Sequence, residues 1–382
     1  MKIVGIICEY NPLHRGHEKQ IRLIKEHFAD CAVVCLMSGN YVQRGMPAIV
    51  DKSFRAEAAL LAGADLVLEL PVTVALSSAE GFAAGGVRIL GSFCDYLCFG
   101  SETGTTESLM QTAQALLSDV FPPLLRAELD TGKSFPAARA AALEKMGLDA
   151  ALLALPNDIL AVEYCKAILA QGVSMKPFPI LREGSYHAEA ADEENPSATA
   201  VRKLMLQKEN WKYCVPKAAR NVLAAAPLHA LEQGERAILC RLRTMTEAEF
   251  EALPYGSEGL WRKFMRNVRE YATLEEILIA TKSKRYTRTR LDRMVMCAFL
   301  GITAEMLAAP VPYTRVLALN DTGRTVLKQA RETGCFPNAG EALEDAYWAL
   351  EKRCGDLYGL FSMDIPEPPG VEERRRICYR KE

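Results

Sequence analysis

The sequence is short of histidine, of cysteine pairs, of long apolar runs and of net charge, and each shortage removes a class of protein. Its twelve cysteines are scattered along 382 residues with no C-x-x-C pair and no Cys/His cluster at zinc spacing. That excludes a zinc ribbon or a thioredoxin-like motif and leaves reduced thiols. Cys31 with Cys35 and Cys94 with Cys98 lie four apart in apolar runs that read as strands, so each pair is expected to share one sheet face, packed and buried. Lys and Arg number 46 against 48 Asp and Glu, a formal charge of -2, so any nucleic-acid surface has to be local. The apolar run KIVGIIC is cut off by Glu9 and Pro12. It is neither a signal peptide nor a membrane span, and a cytoplasmic protein without membrane contact is expected. No internal repeat or low-complexity tract is present. What the chain does have is a length that favours two or three domains and 49% apolar residues, ample for burying cores.

The first third alternates short apolar runs with helical stretches: KIVGII, then GHEKQIRLIKEHF; AVVCLM, then KSFRAEAALLAGA; LVLEL, then SSAEGFAAGGVRIL; DYLCFG, then TESLMQTAQALL. Strand, helix, strand, helix predicts an α/β fold with an open parallel sheet and crossover helices. Ligands of such sheets sit beyond the carboxyl ends of the strands, here the loops 8–17, 38–51, 70–77 and 99–106. Residues 107–171 read as mainly helical, MKPFPILR as a further apolar run, 183–196 as a polar loop, and a helix begins near Ser197. Beyond about 225 the pattern turns helical, with TRVLALN a strand-like interruption and the charged tail GVEERRRICYRKE a frayed end. The expected division is a sheet domain over 1–225 and a mostly α-helical domain over 226–382.

Two of the five histidines, His14 and His17, straddle Gly16 where the first strand gives way to the first crossover helix. The pair is open to three readings: metal ligands, packed core residues, or a phosphate grip. Metal ligation needs more donors, and no nearby His or Cys cluster supplies them; no metal site is expected from the protein side chains. A helix start offers unpaired N–H groups and the positive dipole end, which favours the anion reading. In SATAVRK, residues 197–203, Ser197 and Thr199 offer hydroxyls at another helix start and Arg202 a planar fork for phosphate oxygens. The competing reading is a plain N-cap with a solvent-facing arginine.

These residues resemble the H-x-G-H nucleotidyltransferases, a Rossmann-like group in which the histidine pair holds nucleotide phosphates. EYNPLHRGH, MSGNYVQRGMPAIVDKSFRAEAAL, FGSE, LPNDILAVEY and SATAVRK, in that order, and TKSKRYTRTRLDRMV further on, resemble the bacterial tRNA(Met) cytidine acetate ligase family. Leu13, Arg15 and Arg288 depart from residues frequent in that family. The resemblance implies a ligase that activates acetate with ATP, carried with Mg2+, to acetyl-adenylate. It would then acetylate N4 of the wobble cytidine of elongator tRNA(Met), giving N4-acetylcytidine. His14 and His17 are implied as catalytic. The implied ATP site comprises Ile7, Cys8, Glu9, Tyr10, Asn11, Pro12, Leu13, His14, Arg15, Gly16, His17, Lys19, Gly100, Asn157, Arg182, Ser197, Thr199 and Arg202. Acetate is already ionised at neutral pH, so the first step needs positioning and charge neutralisation rather than a base. The second step must strip a proton from a weakly nucleophilic amine; Glu9 and Asp158 are placed near enough to be considered, and either fits a structural role equally well.

Residues 281–293 carry six Lys/Arg and one Asp around Tyr286, a local basic concentration suited to an RNA backbone. Lys282, Lys284, Arg285, Arg288 and Arg290 are the expected tRNA contacts, a solvated helix face being the alternative. The 38–51 loop, with Tyr41, Gln43 and Arg44, is expected to cover the ligand. Lys52 and Arg55 open a helix against its dipole, which hints at an anionic partner. Two other functions share parts of the pattern: a small-molecule adenylyltransferase, and a nucleotide-dependent RNA-binding protein without catalysis.

Overall fold

Short runs rich in Val, Ile, Leu and Cys form the strands, and they are apolar on both faces because helices cover both. The computed structural model describes residues 1–182, 196–283, 285–310, 313–332, 345–364 and 368–381. The chain runs β1 (Lys2–Cys8), α1 (Arg15–His27), β2 (Cys31–Ser38), a small hairpin of β3 (Tyr41–Val42) and β4 (Met46–Pro47), α2 (Lys52–Leu61) and β5 (Leu66–Leu70). It continues through α3 (Ala79–Leu90), β6 (Tyr96–Ser101), α4 (Pro156–Gln171), β7 (Lys176–Leu181) and α5 (Ala198–Leu206). Among the described residues the main sheet has seven strands in the order β7-β6-β1-β2-β5-β8-β9, the first five parallel. Alternate residues of β1 and β2 part to the two faces. Ile3, Ile7, Val34 and Leu36 join one core with α3 and α4, while Val4, Ile6, Val33 and Met37 join the other with α1, α2 and α5.

Successive strands are added outward from β1 to β2 and β5, then on the other side to β6 and β7. The order therefore reverses between β1 and β6, and a crevice opens at their carboxyl ends. The expected parallel α/β sheet is present, and that crevice is where its ligand site belongs.

A third core gathers α6 (Leu260–Glu270), α7 (Leu274–Thr281), α8 (Arg288–Leu300) and later α10 (Ala346–Tyr358), with Tyr41 of the hairpin packed into it. The chain does not stay in this helical body. β8 (Arg315–Leu319) pairs antiparallel with β5, α9 (Asp321–Arg331) packs on the sheet, and after α10 the four-residue α11 (Val371–Arg374) leads into β9 (Cys378–Tyr379), which pairs with β8. The sheet thus crosses the expected 225 boundary, drawing two strands from beyond it.

Three expectations need correction here. The tail is not frayed: Glu372 is 4% exposed, and Arg375 forks onto Asp51 at 2.6 and 3.0 Å. Its charges have partners some 324 positions away, which composition cannot reveal. Likewise Lys52 and Arg55 have no call for an external anion. Lys52 is buried between Glu69 and Glu372, and Arg55, fully buried, donates to the carbonyls of Val50, Glu9, Ser38 and Gly39. Burial without partners would be prohibitive for either cation, so the sequence signal of a misplaced charge was real but its partner is internal. Of the cysteine pairs, Cys31 and Cys35 share a face, whereas Cys94 precedes β6 and packs on the opposite core from Cys98. Among the described residues no helix is long and apolar enough to cross a membrane.

Candidate active site

The turn after β1 is fixed from below. Arg55 holds the Glu9 carbonyl at 2.6 Å and the Ser38 carbonyl at 3.1 Å, joining the ends of β1 and β2. Tyr10 enters the left-handed region at φ 46°, with its ring buried and its hydroxyl 3.4 Å from Cys35 Sγ. The Asn11 side chain accepts the Ile49 N–H at 2.8 Å, and its carbonyl takes Arg202 Nη1 at 2.7 Å. Ile7, Cys8, Tyr10, Pro12 and Leu13 are buried, Leu13 completely, so among the implied ATP contacts they build the platform rather than offer side chains to a ligand.

On this platform the histidines cap α1 with each other. His14 is the N-cap, and its Nδ1 accepts the Gly16 N–H at 3.1 Å; His17, three residues on, returns the favour, its Nδ1 accepting the His14 N–H at 3.2 Å. This is a capping box in which imidazoles replace the usual Ser and Glu. The rings stack with centroids 3.7 Å apart, and Tyr10 packs 4.8 Å from His17. Both Nδ1 atoms accept, so each neutral ring carries its proton on Nε2. Burial pushes His14 down to about 3, helped by the nearby Arg182 and Arg202 guanidiniums. His17 is lowered well below the usual imidazole range by burial, by His14 and by Arg182. At neutral pH the pair is therefore two neutral Nε2–H donors at a helix start. Gly16 permits the arrangement: a Cβ there would lie 3.0 Å from His14 Cε1 and 3.1 Å from its Nδ1.

The other strand ends supply cations. Arg182 follows β7 and lies across Gly100 at the end of β6, where a Cβ would meet Arg182 Cδ at 2.8 Å. Arg202 on α5 reaches over the turn, its Nη2 3.0 Å from the Thr199 hydroxyl, while Ser197 caps α5 by accepting the Ala200 N–H at 3.0 Å. The cap reading of Ser197 therefore holds. His14, His17, Arg182 and Arg202 are brought together, as their mutual influence on the imidazoles shows. Arg15 and Lys19 sit on the first two turns of α1, half-buried.

Asn157 Nδ2 donates to the Glu102 carboxylate, which also accepts the Asp158 N–H at 2.9 Å and so caps the start of α4. Asp158 is fully buried and accepts from Ser101, from the Glu102 N–H at 2.8 Å and from the Thr103 hydroxyl at 2.6 Å. It ties β6 to α4, which is the structural role. Glu9 keeps its carboxyl beside the turn, accepting the Gln43 N–H at 2.7 Å. Burial raises it, while that N–H and Arg202, Arg55 and Arg44 pull the other way. Glu102 is the organising group that sequence reasoning left without a role, since it acts through backbone N–H groups some 55 positions away. The 38–51 segment is a packed hairpin and not a loose cover: Tyr41 is buried and donates to the Cys354 carbonyl at 3.0 Å.

The donor set around the phosphate position is imidazole and guanidinium. Among the described residues no three His, Cys, Asp or Glu side chains gather as a metal site. Mg2+ fits here only as ATP brings it, held by phosphate oxygens and water.

The basic segment is placed on the helical body. Lys282 and Arg285 are exposed, Arg285 pairing with Glu258 at 2.9 Å; Lys284 lies outside the described residues. Arg288 forks onto Glu275 at 2.7 Å through both terminal nitrogens and reaches Asp292 at 2.8 Å. Arg290 donates twice to the Tyr255 carbonyl, at 3.0 and 2.7 Å, and to Ser257 at 3.0 Å.

A Rossmann-like sheet with paired imidazole donors and two arginines at its switch point defines a nucleotidyltransferase-type protein. Residues 1–367 match the family model described as HIGH Nucleotidyl Transferase. The tRNA(Met) cytidine acetate ligase of Clostridium acetobutylicum is 34% identical over 359 residues, 88% of this chain and 89% of that protein. That of Anoxybacillus flavithermus is 34% identical over 397 residues, covering 98% of each. Among solved structures, Thermotoga maritima TmcAL bound with alpha-thio ATP superposes with a TM-score of 0.89 at 28% identity, covering 100% of both chains. The chain belongs to the tRNA(Met) cytidine acetate ligase family of HIGH nucleotidyltransferases.

Proposed function

We propose that this chain is an ATP-dependent ligase that acetylates the wobble cytidine of elongator tRNA(Met) in the cytoplasm, with acetate as acyl donor. An acetate oxygen attacks the α-phosphorus, the bond to the β-phosphate bridge breaks, and pyrophosphate leaves with the electron pair. Acetyl-adenylate forms. The cytidine N4 then attacks the acetyl carbon, AMP departs, and N4 loses a proton. His14 and His17 donate Nε2–H to phosphate oxygens as charge builds in the first step, with Arg182, Arg202 and the α1 start neutralising the rest. Mg2+ bound by the ATP phosphates would supply further neutralisation. Lys282 and Arg285 are assigned to the tRNA backbone, Lys284 with them on sequence grounds, and Arg288 and Arg290 to shaping the surface that RNA meets.

The observation that carries this reading is the mutual capping of His14 and His17, which satisfies both Nδ1 atoms and leaves Nε2–H on each ring. The test is incubation with ATP, acetate and elongator tRNA(Met). The expected products are AMP, pyrophosphate and N4-acetylcytidine at the wobble position, each dependent on acetate. AMP transfer to a small-molecule acceptor instead would make the chain an adenylyltransferase of another kind, and tRNA binding without AMP would make it a non-catalytic RNA binder.

A further inference from the structure

We propose that Arg262, Arg266 and Arg269, the exposed face of α6, form the main backbone-binding surface for the RNA substrate. This rests on the reading of the chain as a tRNA-modifying enzyme and locates the contact outside the 281–293 segment. The three residues recur at i, i+4 and i+7, so they make one stripe about 10 Å long on a helix rising 1.5 Å per residue. Leu260, Trp261, Phe264, Asn267 and Val268 on the other side are buried, which fixes the helix with the arginines outward.

Donor accounting separates this stripe from the more obvious basic segment. Arg288 and Arg290 give their guanidinium N–H groups to Glu275, Asp292, Tyr255 and Ser257. On α6, by contrast, the ion pair found among the described residues is Arg266–Glu270, at 3.8 Å and with side chains 64% and 54% exposed. Arg262 rests over the Trp261 ring, 4.7 Å from its centroid, and its side chain is exposed. Exposed guanidiniums without short carboxylate partners are the groups that can exchange counterions for phosphates.

Hydrogen bonds and ring contacts also link the body that carries α6 to the site. Lys263 donates to the Thr281 carbonyl at 2.9 Å, holding exposed Lys282 alongside α6. In the other direction, Tyr255 just before α6 donates to the Leu76 carbonyl at 2.7 Å, and Arg293 spans from the Tyr255 ring, 5.0 Å away, to the Gln43 carbonyl at 3.5 Å. Gln43 is the residue that binds Glu9 beside the histidines. A rival stripe exists: Arg324, Lys328 and Arg331 on α9 line a groove of about 520 Å³ with Leu319, Leu327 and Tyr379. It lies at the β8–β9 edge, four strand positions from β1 or roughly 19 Å at ~4.8 Å per strand.

The experiment measures Kd for elongator tRNA(Met) against salt concentration for the full chain and for R262E/R266E/R269E. The expected result is a rise in Kd of about 30-fold or more near 0.1 M salt and a log–log salt slope shallower by about 2 to 3. R262Q/R266Q/R269Q, which removes charge without reversing it, should move both readouts the same way by less. ATP binding by each variant checks that it is folded. Kd within twofold of the parent with an unchanged slope would overturn the proposal alone, as would the same loss arising from R324E/K328E/R331E and not from the α6 variants. Failure of the unsubstituted chain to bind the tRNA would overturn the underlying reading and the proposal with it.

Discussion

The histidine turn and the 281–293 segment both look like anion sites in the sequence, but the fold uses their donors in opposite ways. In the turn, each imidazole satisfies its Nδ1 within the backbone of its own helix start and keeps Nε2–H for a ligand. In the segment, Arg288 and Arg290 give their N–H groups to neighbouring carboxylates, a carbonyl and a hydroxyl, and Lys52 and Arg55 are more extreme cases, sealed inside the protein. A count of positive residues ranks the second region above the first. An account of which N–H groups remain unpaired reverses the ranking.

The sharpest way to break the comparison is His17→Ala. It removes one phosphate donor and the reciprocal cap, and acetate-dependent AMP formation should fall about 10³-fold while tRNA Kd stays within about twofold. Comparable loss of tRNA affinity would merge the two regions. Next comes Lys52→Met, which removes one of the two cations shared by Glu69 and Glu372 and leaves them to Arg315. Chemical denaturation should show about 3 kcal/mol less stability, with the sheet, not the RNA surface, as the casualty.

The histidines also predict a pH dependence. Their folded pKa values lie below the unfolded value, about 3 for His14, so below about pH 6.5 the unfolded chain binds more protons and stability is lost as pH falls. Between pH 7 and pH 5 the loss attributable to the pair should be about 4 kcal/mol, roughly half from each ring, and H14N/H17N should flatten that part of the profile. Gly16→Ala crowds the His14 ring and should weaken ATP binding about tenfold with the fold intact, as isothermal titration would show. Smallest of all, Arg288→Ala should cost under about 1 kcal/mol in stability and change tRNA Kd less than about threefold. A tenfold loss there would make Arg288 itself a direct RNA contact.

Local pattern carried a good deal of this. The runs KIVGII, AVVCLM, LVLEL and DYLCFG became β1, β2, β5 and β6, since an all-apolar run between crossover helices has few other fates. The histidine spacing also pointed correctly to a helix start, although the reciprocal cap depends on rotamers that spacing does not specify. Long-range pairing stayed hidden. β9 is two residues inside a charged tail and is held by backbone pairing with β8, so no periodicity marks it. Arg375 with Asp51, and Lys52 with Glu372, show charges in the right places whose partners only the folded chain identifies. The Glu102 carboxylate on Asn157 and at the α4 start is likewise a partner that only the folded chain identifies.

The most direct test is of the donors themselves: ring-nitrogen NMR of ¹⁵N-histidine-labelled protein at pH 7, assigned with His14→Ala and His17→Ala and repeated with a non-hydrolysable ATP analogue. The expected spectra have both rings neutral with the proton on Nε2, and the analogue shifts Nε2 of each while Nδ1 keeps its acceptor signature. Protonated Nδ1 in either free ring, or Nε2 signals that ignore saturating nucleotide, would contradict the assignment of the pair as the phosphate grip.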